Sequence, residues 1–294
     1  MNIDEILSYV NTNKDNFNDL VENIDSVIPF VGAGMSAFLY PVWGEFLKNI
    51  VTSTDLIKED DKKDLLNLIS ANSNEEVADR IEEEIGHNSF IKQVQQTYAE
   101  KKISDDLLNV AVNKLPQIFN QGIITTNFDR VLEKVYKDNQ FLHIVYPGQN
   151  SLQIEGIQRD LHFLFKIHGD VLNRDSIILT QKQYEDNYGE KKIDYTKPLP
   201  KLLRTFFRNR VMLFLGCSLE NDRTMNVLDK LTSDMEGLTH FTFLQKPSDF
   251  DKYKEMSMLL DKHSIYPIWY PDGKYECINI LLDEIIKKSS KKKI

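Results

Sequence analysis

The most informative feature of this sequence is a short apolar segment that runs directly into a polar cluster. Residues 122–125 have the pattern of a buried strand, and Asn127 and Asp129 follow at the start of a predicted helix over residues 127–137. Side-chain oxygens at a helix start accept hydrogen bonds from free backbone N–H groups. In an open α/β sheet, ligands also bind beyond the carboxyl ends of the strands. The pair therefore either caps the helix or directs an amide and a carboxylate into a nucleotide pocket.

A glycine-rich turn follows the first predicted strand, residues 26–31. Residues 32–36 read Gly-Ala-Gly-Met-Ser, which fits the strand–turn–helix pattern of a dinucleotide-binding fingerprint. Glycines let the backbone approach a pyrophosphate, and a helix start supplies N–H donors. A tight turn is the simpler interpretation. A dehydrogenase is disfavoured, because residues 52–59 lead into a helix where a second strand should end in an acidic, ribose-binding residue.

A histidine follows a third predicted strand. Residues 163–167 lead into His168, Gly169 and Asp170. Histidine suits a general base because its ordinary pKa is close to physiological pH. A histidine at a strand end is most often structural, but this one shares its edge of the sheet with Asn127. We therefore treat His168 as a candidate catalytic residue.

A fourth strand end has small and polar residues. Residues 211–215 lead into Gly216, Cys217 and Ser218. Gly216 allows close approach of the backbone, and the Ser218 hydroxyl could hydrogen-bond a ribose or a phosphate. A capped turn explains the same residues equally well. This segment is a candidate ligand-binding turn, with Cys217 as a packing thiol.

Strands alternate with helices along most of the chain. This alternation predicts a Rossmann-like, doubly wound α/β fold with a mainly parallel sheet covered on both faces. Residues 55–114 differ, because helix formers dominate there and no strand pattern occurs. We therefore expect a single domain over residues 1–294, with residues 55–114 as a helical insertion. The predicted strands are 26–31, 117–119 or 122–125, 143–146, 163–167, 176–179, 211–215, 240–244 and 265–269, and the predicted helices include 1–24, 127–137, 180–188, 196–208, 221–235, 248–261 and 274–288.

Bulk properties restrict the class of protein. A net charge of −9 argues against nucleic-acid binding as the main activity. Apolar runs such as residues 27–31 are far shorter than the roughly 20 residues that cross a bilayer. The first residues lack the basic start and apolar core of a signal peptide. We therefore expect a cytoplasmic protein that contacts neither membrane nor nucleic acid.

Taken in chain order, these strand ends resemble the motifs of the sirtuin superfamily. Its members read Gly-Ala-Gly-x-Ser, then Thr-Gln-Asn-x-Asp, then a His followed by Gly, then Gly-x-Ser. Thr126 replaces the Gln of the second motif and, with residues 41–43 and 219–222, resembles the bacterial sirtuin-like branch, whose members are NAD⁺-degrading effectors of anti-phage defence. The resemblance spans residues 26–270 and is carried by Gly32, Ala33, Gly34, Ser36, Thr125, Thr126, Asn127, Asp129, His168, Gly169, Gly216 and Ser218.

The resemblance implies a role for each matching residue. Asn127 and Asp129 would orient the nicotinamide ribose and the attacking water, and His168 would act as general base. NAD⁺ would be the substrate, and no metal is required. The residues implied in binding the nucleotide are Gly32, Ala33, Gly34, Ser36, Thr126, Gly216 and Ser218.

The chain departs from protein-deacylating sirtuins in its cysteines. Those enzymes carry a zinc ribbon with paired Cys-x-x-Cys motifs, whereas only Cys217 and Cys277 occur here. The helical stretch 55–114 stands in its place, so an acyl-lysine cleft would lose half its wall. Hydrolysis of NAD⁺ at the nicotinamide–ribose bond needs only the pocket and water. The sequence therefore favours an NAD⁺ glycohydrolase that produces nicotinamide and ADP-ribose.

Two other functions remain open. One is an NAD-dependent deacylase or ADP-ribosyltransferase, and the other is a non-catalytic module that senses NAD⁺ or ADP-ribose. An enzyme that depletes NAD⁺ must be held inactive in its own cell. We therefore expect control by homo-oligomerisation or by a regulatory protein partner.

Overall fold

The computed structural model describes residues 1–99, 110–136, 143–145, 147, 162–219, 223–234 and 238–292. Within these residues, seven parallel strands form one sheet in the order β3-β4-β2-β1-β5-β6-β7. This confirms the predicted Rossmann-like α/β class. The strands are β1 (Val27–Val31), β2 (Gly122–Thr125), β3 (His143–Val145), β4 (Phe163–Lys166), β5 (Val211–Leu215), β6 (His240–Lys246) and β7 (Ile265–Pro271).

One predicted strand, residues 176–179, is wrong. Ser176 ends the 3-10 helix Arg174–Ser176, and residues 177–179 form an extended segment that pairs with no strand of the sheet. Its apolar residues 177–179 are nevertheless buried, because they pack into the core without ladder hydrogen bonds. The second strand is predicted at residues 117–119 or 122–125. It lies at residues 122–125, and residues 115–118 form a short helix instead. Residue 146, the predicted end of the third strand, lies outside the described residues.

Helices cover both faces of the sheet. The predicted helix over residues 1–24 is two helices with a break at residues 8–12. The helix predicted over residues 127–137 is much shorter and begins only at Val131. The described helices are α1 (Ile3–Leu7), α2 (Asn13–Glu22), α3 (Trp43–Ser53), α4 (Glu59–Ser70), α5 (Asn74–Ile85), α6 (His87–Thr97), α7 (Leu115–Ile118), α8 (Val131–Val135), α9 (Gln181–Tyr188), α10 (Pro198–Asn209), α11 (Arg223–Asp234), α12 (Phe250–Lys262) and α13 (Glu276–Lys292).

The central strand β1 shows how the sheet divides the core. All five of its residues are buried. Val27 and Val31 belong to the apolar cluster on one face, while Ile28 and Phe30 belong to the cluster on the other. Successive strand residues point to opposite faces, so a strand covered on both sides is apolar throughout. This explains why the strands appear in the sequence as continuous apolar runs.

The stretch between β1 and β2 contains the helices α3 to α7, and α5 packs against α9, which follows β4. Residues 100–109 of this stretch lie outside the described residues. The division into one domain with an insertion at 55–114 stays a prediction. Among the helices that the structure describes, none is both long enough and apolar enough to span a membrane.

Candidate functional site

The candidate residues follow four neighbouring strands at the centre of the sheet. Residues 32–36 come after β1, residues 126–129 after β2, His168 after β4 and residues 216–218 after β5. These strands stand side by side in the order β4-β2-β1-β5. All run parallel, so their carboxyl ends meet at one edge, where open α/β sheets bind ligands. Topology therefore brings the four segments together.

The glycines of the first and last segments pack backbone against backbone. A Cβ added to Gly32 would lie 2.5 Å from the Gly216 carbonyl oxygen, and one added to Gly34 would lie 2.9 Å from Gly216 Cα. Gly216 itself has a positive φ of 66°, and a Cβ there would lie 2.5 Å from the Met35 nitrogen. These glycines are required by the contact between the two turns, whether or not a ligand is bound.

The turn after β1 uses its backbone donors internally. Gly32 N–H donates to the Leu215 carbonyl at 2.8 Å, and Gly34 N–H donates to the Gly216 carbonyl at 2.9 Å. Residues 33–35 form only a 3-10 turn, and the following α-helix starts at Trp43. The predicted order of strand, turn and helix is therefore present, but the α-helix begins at Trp43 and not at the glycine turn itself. The turn is rigidly tied to β5 rather than to a helix N-terminus.

Asn127 is buried at the centre of this arrangement, with 6% of its surface exposed. Its Nδ2 donates to Ser36 Oγ at 3.0 Å and to the Gly32 carbonyl at 3.3 Å. These bonds connect the end of β2 to the turn after β1. Its Oδ1 is buried and has no hydrogen-bond partner among the described residues. An acceptor therefore lies buried between the two turns.

Asp129 lies one residue before the N-cap of α8, which is Arg130 and makes no side-chain capping bond. Asp129 Oδ1 accepts the Val131 N–H at 2.9 Å, at the start of α8. Burial raises the pKa of Asp129 above its ordinary value, while the Val131 N–H, the nearby Lys166 and a hydrogen bond with Ser36 oppose the shift. The carboxyl group thus combines support of the helix start with an environment that disfavours its charge.

His168 is enclosed by two tyrosines of α9. Its Nε2 lies 3.1 Å from the Tyr188 hydroxyl, and its Nδ1 lies 3.3 Å from the Tyr184 hydroxyl. Burial lowers the pKa of His168 to about 3, so the imidazole is neutral at physiological pH. A neutral ring has one N–H donor and one acceptor nitrogen, so one tyrosine accepts and the other donates.

The remaining candidate residues line the rim. Ala33 and Thr126 are half-buried and Ser218 is exposed, so all three can be reached from solvent. Thr126 N–H donates to the Val31 carbonyl at 3.2 Å, which extends the pairing of β1 and β2. Among the described residues, no group of His, Cys, Asp and Glu side chains is arranged to hold a metal ion.

Sequence reasoning missed a buried lysine. Lys166, the last residue of β4, is 1% exposed. Its Nζ donates to the Phe128 and Asp129 carbonyls at 3.1 and 2.7 Å, and to Glu133 Oε1 and Asp170 Oδ2 at 3.0 and 2.9 Å. A lysine within an apolar strand was the available signal, because buried lysines need partners. The hydrogen-bond partners of His168 had a weaker signal in the sequence, which is the spacing of Tyr184 and Tyr188 by one helical turn, so that both lie on the same face of α9.

Comparisons with known proteins give one family. The sequence model of a family described as a SIR2-like domain matches residues 121–268, which include Asn127, Asp129, His168 and the turn after β5. A solved structure named "Structural Basis for the Mechanism and Regulation of Sir2 Enzymes" is similar at 10% identity, with 95% of this chain and 98% of that chain covered and a TM-score of 0.43. No curated protein matches the sequence.

Proposed function

This chain belongs to the SIR2-like domain family, and from that premise we propose that it is an NAD⁺ glycohydrolase. In the reaction, a water oxygen bonds to C1′ of the nicotinamide ribose while the glycosidic C–N bond breaks. The bonding electron pair leaves with nicotinamide, which departs as a neutral molecule, and the water gives up one proton. The products are nicotinamide and ADP-ribose. Because the leaving group is neutral, the reaction requires no metal.

The observation that carries this proposal is the buried Asn127 Oδ1, which has no partner among the described residues. Leaving a buried acceptor without a donor costs about 1–3 kcal/mol, so an O–H group that donates to it is bound favourably. A ribose hydroxyl and an attacking water both offer such a group. The same oxygen and the Asp129 carboxylate would also stabilise the positive charge that develops on the ribose.

We assign to His168 the polarisation of that O–H group. The ring is neutral, as a base must be, but a pKa of about 3 makes it a weak base in the free protein. One of its two tyrosine hydrogen bonds would exchange for the ribose hydroxyl or the water when NAD⁺ binds. Tyr184 and Tyr188 hold the ring in place for this exchange.

For the nucleotide, we propose that the pyrophosphate lies over the contact between the turns after β1 and β5. The close approach of Gly32, Gly34 and Gly216 leaves no room for a side chain at these three positions. Ala33, Thr126 and Ser218 border it, and Ser36 fixes the Asn127 amide from below. Backbone surfaces of this kind let phosphate groups approach closely.

The experiment measures NAD⁺ loss and nicotinamide release by chromatography for the wild type, Asn127→Ala and His168→Ala. Each substitution should lower the rate by roughly 10²–10⁴-fold, the range for a positioned acid–base or electrostatic group. His87→Ala is a matched control, because the side chain of His87 is 54% exposed and pairs with Glu82 rather than with a candidate site residue. Full activity in both Asn127→Ala and His168→Ala would refute the assignment.

One observation favours a second function, a non-catalytic module that binds NAD⁺ or ADP-ribose. Both ring nitrogens of His168 already have tyrosine partners, and its pKa is far below physiological pH. Calorimetry separates the two functions. Tight binding of NAD⁺ without release of nicotinamide would support the sensor, and transfer of label from NAD⁺ to protein would instead support an ADP-ribosyltransferase.

We further propose that the activity belongs to a regulated anti-phage effector, as the sequence resemblance implies. Depletion of NAD⁺ harms the cell that makes the enzyme, so the activity requires control by self-association or a protein partner. The same chromatographic assay, run across protein concentrations with mass determination in parallel, tests control by self-association. A specific activity that does not change while the mass changes would exclude it.

A further inference from the structure

A buried charge cluster lies directly beneath the turn that carries Asn127 and Asp129. Lys166 is 1% exposed, and its side chain forms ion pairs with Glu133 and Asp170, whose side chains are 8% and 6% exposed. Lysine is rarely buried to this extent, and removing its charge from water is costly. The cost is offset by four hydrogen bonds to groups from three different segments.

Two of these hydrogen bonds are made to backbone carbonyl groups rather than to charged side chains. Lys166 Nζ donates to the carbonyls of Phe128 and Asp129, two consecutive residues of the turn between β2 and α8. The turn itself has little regular structure, because β2 ends at Thr125 and α8 starts at Val131. Other bonds also support the turn: the Thr125 hydroxyl accepts the Asn127 N–H at 3.1 Å, and the Phe128 carbonyl accepts the Val171 N–H at 3.1 Å.

The other two bonds connect this turn to its neighbours. Glu133 belongs to α8, and Asp170 follows His168 by two residues. Asp170 Oδ1 also accepts the Leu172 N–H at 2.8 Å, and its own N–H donates to Ser176 Oγ at 3.0 Å. The ammonium group of Lys166 therefore joins the segment with Asn127 and Asp129 to the segment with His168, in addition to the backbone bond from Val171 to Phe128.

From this geometry we propose that Lys166 is a positioning residue for the reaction. It fixes the distance between the amide and carboxylate after β2 and the imidazole after β4, without touching the substrate. The proposal rests on the NAD⁺ glycohydrolase function proposed above. A displacement of about 1 Å in such a group can cost roughly 10²-fold in rate.

The test must separate positioning from simple charge balance. Lys166→Met alone leaves Glu133 and Asp170 buried without their cation, so we expect this variant to be strongly destabilised for that reason. The triple variant Lys166→Met, Glu133→Gln and Asp170→Asn removes all three charges while keeping side-chain volumes close to the original. Because no charge remains in this variant, it avoids the uncompensated buried charge that makes the loss of a single partner costly. Lys62→Met, which removes a lysine paired with Glu59 on the surface, is the matched control.

We expect the triple variant to keep the wild-type melting temperature within a few degrees and to lose about 10²-fold in kcat, with a KM for NAD⁺ within about 3-fold. Amide hydrogen exchange at residues 126–131 should become faster in the same variant, measured without NAD⁺. A triple variant with wild-type kcat and wild-type exchange would overturn the proposal, as would one that does not fold. If the wild type itself releases no nicotinamide, the proposed function fails, and the exchange measurement alone decides the role of Lys166.

Discussion

At the residue scale, Asp129 separates two explanations that the sequence left open. The polar cluster after β2 could cap a helix or serve a pocket, and Asp129 accepts the N–H of Val131, the first residue of α8, from the position before the N-cap Arg130. Asn127 has no part in this bond, since its amide bonds to Ser36 and Gly32. Burial raises the pKa of Asp129, so its carboxylate is held at a cost in free energy. The bond to Val131 alone does not need that charge, because the side-chain carbonyl of an asparagine also accepts an N–H.

This difference gives a prediction for two variants. Asp129→Asn keeps an oxygen for the Val131 N–H and removes the buried charge, so it should be at least as stable as the wild type. Asp129→Ala loses the bond to Val131 and should be less stable than Asp129→Asn by about 1 kcal/mol. Both should lose roughly 10²–10⁴-fold in NAD⁺ hydrolysis, because neither has a carboxylate to stabilise the ribosyl cation. Denaturant unfolding and nicotinamide release measure the two effects.

A wild-type rate in Asp129→Asn would reduce Asp129 to a residue that only supports the start of α8. Equal stability of the two variants would instead show that the bond to Val131 contributes nothing to the fold.

At the element scale, the strands were predictable because both of their faces are buried. Short apolar runs such as residues 27–31 and 211–215 predict buried strands. Their alternation with helices predicts a parallel sheet. The error at residues 176–179 has a physical cause. An extended apolar segment has the same pattern whether it packs in a sheet or beside one, and only long-range pairing distinguishes the two.

The site was predictable to the extent that it follows from strand ends. Parallel strands bring their carboxyl ends together, so placing Asn127 beside His168 requires only the sheet order. The partners of Lys166 and His168 were not predictable, because Glu133 and Tyr188 lie 33 and 20 residues away along the chain. Nor does the sequence show that the glycines of the turns after β1 and β5 face each other.

The contact between those two turns predicts that Gly216 does not tolerate a larger residue. Gly216→Ala places a Cβ 2.5 Å from the Met35 nitrogen at a residue with a φ of 66°. Overpacking of this kind costs about 1–3 kcal/mol in addition to the cost of the left-handed conformation. We also expect weaker NAD⁺ binding, because the turn after β1 must move away. Thermal unfolding and calorimetry with NAD⁺ measure the two effects.

Gly273→Ala is the matched control for this substitution. Gly273 has a similar φ of 71°, but a Cβ there meets nothing within 4 Å. Its loss of stability should therefore be limited to about 1–2 kcal/mol for the left-handed conformation. If the two variants lose the same stability and bind NAD⁺ alike, the contact between the turns has no energetic importance.

At the scale of the whole molecule, buried ionisable groups act on stability in opposite directions. Burial lowers the pKa of His168 to about 3 and of His240 to about 4. Such groups stabilise the fold above their unfolded pKa near 6.5, and this stability is lost as the pH falls. Burial also raises the pKa values of Asp129, Glu133 and Glu75. Those carboxyl groups destabilise the fold at neutral pH, and acid relieves that cost. The pH dependence of folding stability is therefore a sum of opposing contributions. A substitution at a single histidine measures the contribution of that residue alone.

His240 is suited to that purpose because it lies in β6, where its Nδ1 accepts the Met212 N–H at 3.2 Å. In His240→Asn, the amide oxygen can still accept this N–H and does not titrate. The wild type binds a proton at His240 on unfolding between about pH 4 and pH 6.5, whereas the variant does not. The stability difference between wild type and variant should therefore shift by about 2 kcal/mol against the wild type from pH 7 to pH 5. Urea unfolding at the two pH values measures it, and a difference independent of pH would show that His240 is not held neutral by the fold.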